Sequence, residues 1–286
     1  MARENIPDAD ALLDREFKVL DHGFIRLVDY MGSDAAIVQA ARVSYGAGTR
    51  KVSEDRGLIR YLMRNKHTSP FEMVELKFHV KLPVFVARQW IRHRTANVNE
   101  LSGRYSVMRD EFFVPPPEDM GYQAKNNKQG RSEKEVPDEV KARLVAYLNK
   151  AQRECYEDYS ALVDDGLSRE IARIGLPLSL YTEWYWKNDL HNLFHFLRLR
   201  LDTHAQKEIR LYAEVMAQMV QAVCPLAYEA FEDFVLGAFY FSKQEIAALK
   251  PGLDSLNLDK DALVASGLSP REAGELLAKL KRLGKL

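Results

Sequence analysis

The densest concentration of chemistry-bearing side chains runs Arg92-His93-Arg94-Thr95-Ala96-Asn97-Val98-Asn99-Glu100-Leu101-Ser102-Gly103-Arg104-Tyr105, with three arginines, a histidine, a glutamate and a serine in fourteen residues. Guanidinium groups meet phosphate oxygens through paired, charge-assisted hydrogen bonds. Gly103 would let backbone N–H groups approach an anion closely. Together these are the parts of a nucleotide phosphate site. The whole chain has 286 residues with 41 Lys+Arg against 41 Asp+Glu, a formal net charge of zero. Locally concentrated arginine in a neutral protein points to a small anionic ligand rather than to a nucleic-acid backbone. A solvated surface loop laced with ion pairs is the competing reading of any arginine-rich run.

The same run resembles the signature of the flavin-dependent thymidylate synthases, RHRxxSxNExSxRY, at Arg92, His93, Arg94, Asn99, Glu100, Ser102, Arg104 and Tyr105. Asn97 stands where that pattern has serine, an exchange of one small polar residue for another. Similarity extends from about Gly23 to Phe234 and includes Ala41-Arg42-Val43-Ser44, His67-Thr68-Ser69-Pro70-Phe71-Glu72, Ala87-Arg88-Gln89-Trp90, Arg169 to Tyr181, and Leu197 to Gln206. The resemblance implies an α+β fold, a twisted antiparallel-rich sheet with helices, the thymidylate synthase-complementing protein fold. It implies conversion of dUMP to dTMP, with methylenetetrahydrofolate as one-carbon donor and NADPH as reductant through FAD. It also implies a homotetramer with active sites between subunits.

Carried over residue by residue, the resemblance places Gln89, Trp90, Ile91, Arg92, Glu100, Leu101, Ser102, Gly103, Arg104, Arg173 and Arg200 around dUMP. It places Ser69, Arg92, His93, Arg94, Glu100, Asp189, Leu190, His191 and His195 around FAD. Asp189 and His195 stand where the family often has asparagine. Arg200 is the implied catalytic residue, stabilising negative charge as N3 of the uracil ring ionises.

That role is physically reasonable. The uracil ring carbon is a poor nucleophile, and a fixed cation beside a developing anion stabilises it most where water is excluded. No protein nucleophile is then required. The two cysteines, Cys155 and Cys224, form neither a Cys-x-x-Cys nor a metal-ligand pattern, and both read as buried small hydrophobes. No GxGxxG follows a strand, so a flavin pyrophosphate would be held by arginine and helix ends rather than by a Rossmann turn.

Several elements must position these groups. Phe24 to Tyr30 reads as a strand, and Gly32 begins a turn into an Ala-rich helix. Val74, Leu76, Phe78, Val80 and Leu82 alternate with Glu75, Lys77, His79 and Lys81, the period-two pattern of a strand with one buried face. After Pro83, PVFVARQWIRHR has helical composition and would put Gln89, Arg92 and His93 on one face. Residues 115–137 read as a surface loop or lid, dividing a β-rich from an α-rich part. Val140, Leu144, Leu148, Ala151, Cys155, Tyr159 and Leu162 then form an apolar stripe on a long helix stopped by Gly166. A second helical stretch is expected from about Asn188 to Val223, with Asp189 and Arg200 on one face and His191 and His195 on another. Residues 1–235 form the expected catalytic domain. Residues 236–286 form a helical C-terminal extension, with a capping box at Ser269-Pro270-Arg271-Glu272 and Leu276, Leu277, Leu280 and Leu283 on one face.

Two other readings compete. His191 and His195 have the i, i+4 spacing of a helical metal pair, with Asp189 and His204 nearby, which would suit a zinc-dependent nucleotide hydrolase. Asn192, however, occupies the position of the HExxH glutamate. The tail could instead belong to a non-enzymatic nucleotide-binding module. His22 and His79 read as surface or structural histidines, and His67 is intermediate because its neighbours match the family pattern. The charged N-terminal stretch and the lack of a long apolar run suggest a cytoplasmic protein with no membrane or nucleic-acid partner.

Overall fold

Five strands carry the fold of the computed structural model: β1 (Phe17–Val19), β2 (Gly23–Met31), β3 (Glu75–Pro83), β4 (Asn97–Glu100) and β5 (Tyr181–Asp189). They form one antiparallel sheet in the order β1-β2-β3-β5-β4. Residues 5–43, 55–125, 130–132, 134–253 and 259–282 are described. They divide into two compact units, Met1–Leu236 and Gly237–Leu286.

The alternation from Val74 becomes the centre of the sheet. Val74, Leu76, Phe78, Val80 and Leu82 are all 0% exposed. β5 pairs with β3 so that Trp186 faces Phe78 and Trp184 faces Val80 on the buried side, while Tyr185 faces His79 on the other. β5 is a strand for the same reason as β3: Tyr181, Trp184 and Trp186 are buried, with Glu183, Tyr185 and Lys187 between them less so. The buried polar residues Thr182 and Asn188 interrupt its apolar pattern.

The helices described in the first unit are α1 (Pro7–Asp10), α2 (Asp34–Val43), α3 (Asp55–Arg64), α4 (Val84–Trp90), α5 (Asp138–Asp164), α6 (Arg169–Ala172), α7 (Leu190–Arg200), α8 (Lys207–Val223) and α9 (Pro225–Phe231). Of these, α4, α7 and α8 pack directly on the sheet. Gly32 makes the turn from β2 to α2 at φ +80°. A side chain there would also meet Ala36 Cβ at 2.9 Å and Met73 O at 3.0 Å. Trp90, at the end of α4, is fully buried, with its ring 4.7 Å from Phe196, 5.6 Å from Trp186, 5.7 Å from Trp184 and 5.9 Å from Tyr212. Removing such a ring costs about 3–5 kcal/mol. A second, smaller core of Met108, Phe112, Tyr159, Ala172 and Leu180 lies where α5 and α6 meet the chain that follows β4.

Several expectations are corrected. The helix over PVFVARQWIRHR stops at Trp90, and Arg92 and His93 follow in a turn closed by the His93 N–H to Trp90 O bond of 3.0 Å. The stretch from Asn188 to Val223 is not one helix: Asn188 and Asp189 end β5, and Leu201 to Gln206 separate α7 from α8. Asp202 there turns its carboxylate back onto the His204 N–H at 2.8 Å, a local bond that competes with helix. The α5 stripe is covered only in part. Tyr159 is buried, Cys155 is half-buried, and Leu144 and Leu162 are exposed. The 115–137 stretch is tied to the start of α8 by the ion pairs Lys207–Asp119 and Arg131–Glu208; residues 126–129 and 133 lie outside the described residues.

The second unit contains α10 (Lys243–Leu253), α11 (Lys260–Ala265) and α12 (Pro270–Arg282). The capping box forms, with the Glu272 N–H donating to Ser269 Oγ at 3.3 Å and the Ser269 N–H to Glu272 Oε2 at 3.1 Å. Leu263 and Ala273 are buried within this unit; Leu283 lies outside the described residues, as does Ser44 in the first unit. Among the described residues no helix is long and apolar enough to cross a membrane.

Candidate functional site

The start of α4 is anchored before its polar end is presented. The Val84 N–H donates to Leu180 O at 2.9 Å and the Phe85 N–H to Leu178 O at 3.0 Å, which satisfies two of the orphan donors of a helix N-terminus. With Trp90 locked in the core, the chain turns at Ile91 and delivers Arg92, His93 and Arg94 to the surface. Arg92 and Arg94 are exposed and make no hydrogen bond or ion pair among the described residues. Gln89 is half-buried, and its side-chain oxygen is enclosed without a partner.

α7 completes this first cluster. Arg200, at its C-terminal end, donates from Nε to His93 Nε2 at 3.0 Å. The His93 ring stands edge-on to Phe196 at 4.9 Å, and the His195 ring lies 5.9 Å away. Burial, then Arg200, then His195 hold the His93 pKa at about 4, below the ordinary 6.5. Partial burial, with Arg198, His191 and Arg200, also lowers His195. Arg200 and His195, expected on separate helix faces, thus converge on one imidazole. The Phe71 ring lies 6.4 Å from Phe194, setting the turn of Ser69 to Met73 beside α7.

Some of the expected contacts have their groups engaged elsewhere. Asp189 caps α7, its two carboxylate oxygens accepting from the Asn192 backbone N–H at 2.9 Å and the Asn192 side-chain amide at 2.7 Å. Leu190 is fully buried and gives its N–H to Val74 O at 2.8 Å. Trp90 is likewise fully buried, so it supports the site from the core rather than facing a ligand. His191 is half-buried beside His195. Among the described residues no group of three or more His, Cys, Asp and Glu side chains is arranged to hold a metal ion. His79 is a member of a network, accepting from Arg26 Nε at 3.0 Å and lying 3.2 Å from Glu183 Oε2.

The second cluster begins at the far end of β4. Glu100 accepts from Thr182 Oγ1 at 2.8 Å, and the Leu101 N–H donates to Glu183 O at 2.8 Å. Ser102 nucleates a tight turn, accepting at its carbonyl from the Tyr105 N–H at 3.0 Å and the Ser106 N–H at 3.1 Å. Gly103 is buried against Arg173, whose guanidinium makes no hydrogen bond or ion pair among the described residues. Arg104 is held by Glu170, with Nε and an η nitrogen each 3.0 Å from Oε2. Glu170 was not legible as a partner, because 66 residues separate it from Arg104.

One motif therefore feeds two clusters. β4 pairs Asn97 with Lys187 and Glu100 with Trp184, so it runs roughly 10 Å from the α7 end of β5 toward the α6 end. Gln89, Ile91, Arg92, His93, Arg94, His195 and Arg200 gather at one end. Glu100, Leu101, Ser102, Gly103, Arg104 and Arg173 gather at the other.

Residues 26–226 match the family model described as thymidylate synthase complementing protein. A flavin-dependent thymidylate synthase of Treponema denticola is 57% identical over 269 residues, covering 94% of this chain and 98% of the relative. One from Wolbachia pipientis wMel is 52% identical over 280 residues, 98% and 97% of the two chains. Among solved structures, the UMP/dUMP methylase PolB of Streptomyces cacaoi bound with 5-Br dUMP is 34% identical with a TM-score of 0.70, covering 77% of this chain and 99% of that one. A motif whose polar positions sit on an antiparallel sheet, with identity above one half along nearly the whole chain, places this protein in the flavin-dependent thymidylate synthase family.

Proposed function

We propose that this protein makes dTMP from dUMP, with methylenetetrahydrofolate as the one-carbon donor and NADPH as the reductant acting through FAD. The observation that carries the reading is the first cluster: two unengaged guanidiniums, Arg92 and Arg94, flank a histidine that is bonded to Arg200. That donor set suits a flavin. Arginine forks match a pyrophosphate. Arg92, Arg94, His191 and His195 would hold FAD, which when bound supplies the hydride chemistry that side chains lack.

The chain's own residues bind and polarise the nucleotide. Ser102, Arg104 and Arg173 take the phosphate, with Arg104 exchanging its Glu170 partner for it. Arg200 stabilises negative charge on the uracil ring as N3 loses its proton, and its half-buried setting strengthens that field. Membership of the family supports a homotetramer in which the two clusters of a complete site come from two protomers. Exposed apolar residues beside the second cluster, Ile171, Ile174 and Leu178, support such an interface.

Purified protein reconstituted with FAD should show flavin absorption bands, oxidise NADPH, and form dTMP when dUMP and methylenetetrahydrofolate are supplied. Protein with no flavin spectrum and no NADPH oxidation would overturn the reading.

A further inference from the structure

The side-chain bond from Arg200 to His93 does more than join two elements. Among the described residues it is the one hydrogen bond of the Arg200 side chain, and it engages Nε. The acceptor ring is itself immobilised. The His93 backbone N–H is held by Trp90 O at 3.0 Å, and its ring packs edge-on at 4.9 Å against Phe196, which is 0% exposed. A guanidinium pinned at Nε has its plane set while both terminal nitrogens stay available as a fork.

We propose that His93 is a positioning residue for Arg200: its Nε2 fixes the guanidinium plane so that the two terminal nitrogens meet the uracil ring in one orientation. The inference rests on the dTMP-forming reading above and assigns the motif histidine a task besides cofactor contact. Nε2 must be unprotonated to accept from a cation, so the proton of the neutral ring belongs on Nδ1. Burial, Arg200 and His195 keep the ring neutral by opposing a second proton, and the N–H of Arg200 at Nε2 selects the tautomer. Orientation of this kind acts on turnover more than on affinity, because a misaligned guanidinium still attracts the nucleotide but meets the developing charge poorly.

The test is a double-mutant cycle with FAD content equalised by absorbance. His93→Phe should lower kcat for dTMP formation on the order of 10- to 100-fold with a smaller change in KM for dUMP. In the Arg200→Lys background the same change should cost less than about twofold more, because the interaction is already lost. His93→Gln, whose amide oxygen can accept from Nε, should recover most of the turnover. Additive losses in the cycle, or a glutamine variant as poor as the phenylalanine one, would overturn the proposal. If the wild type forms no dTMP, it is the functional reading that fails. The pairing is then decided by nitrogen NMR of labelled histidine in the folded protein. An unprotonated His93 Nε2 at neutral pH, altered by Arg200→Lys, supports it, and a protonated Nε2 overturns it.

Discussion

Gly103 and Arg173 approach so closely that a Cβ on residue 103 would lie 3.1 Å from Arg173 Cδ and 3.0 Å from Met108 Sδ. The contact brings the turn after β4 against the start of the turn that follows α6, two segments 70 residues apart in the chain. Gly103→Ala should push the Arg173 side chain aside by a few tenths of an ångström while Met108 adapts. The expected result is a rise of about tenfold in KM for dUMP with near-parental unfolding behaviour. Steady-state kinetics alongside thermal melting checks this, and unchanged KM would remove Arg173 from the nucleotide site.

Arg200→Lys keeps a cation but loses the planar fork. It should lower dTMP formation on the order of 100-fold and NADPH-to-flavin reduction by much less. The two half-reactions need to be followed separately in folded, FAD-loaded protein. Equal losses in both would make Arg200 a scaffold residue.

Neither cysteine is in a disulfide, and neither belongs to either cluster. Cys155→Ala and Cys224→Ala should therefore form dTMP at near the parental rate. Their stabilities should differ: Cys224 is fully buried at the kink between α8 and α9, so its loss should cost about 1 kcal/mol. Cys155, half-buried on α5, should cost less. Chemical denaturation with parallel turnover assays distinguishes them, and a folded but inactive variant would show the wrong chemistry has been assigned.

The first cluster should also leave a signature in the pH dependence of folding. His93 is depressed from 6.5 to about 4, by burial first, and His195 is lowered in the same direction. The unfolded chain therefore binds these protons at higher pH than the folded one. The contribution of His93 is complete above about pH 6.5 and is lost as pH falls toward 4, and that of His195 is lost in the same direction. Carboxylates such as Glu229, lowered by its hydrogen bond to Arg56, give their own loss only below about 4.5. The urea midpoint should thus fall between pH 6.5 and 5, and His93→Gln should flatten the slope. A midpoint that rises across that interval contradicts the assignment.

Local patterns were readable from the sequence because their physics is local. Alternation from Val74 to Leu82 dictates a half-buried strand, the apolar spacing from Val140 dictates the helix α5, and Ser269 with Glu272 writes its own cap. The Arg92–Tyr105 run is legible as a concentration of guanidinium and hydroxyl groups at the spacing of the family signature. Partnerships across long separations were not readable. β4 is four exposed residues with no periodicity of its own, and it is a strand because β5 supplies its hydrogen bonds. β5 itself could have been found from the Trp184–Trp186 alternation, yet buried Thr182 and Asn188 mask the pattern. Arg200 meets His93 across 107 residues and Arg104 meets Glu170 across 66, pairings that no propensity encodes. The kinds of groups available for catalysis were thus determined by the sequence itself. Which of them share a cluster was decided only in the tertiary structure, because the sheet register and the break between α7 and α8 depend on side chains packing from distant parts of the chain.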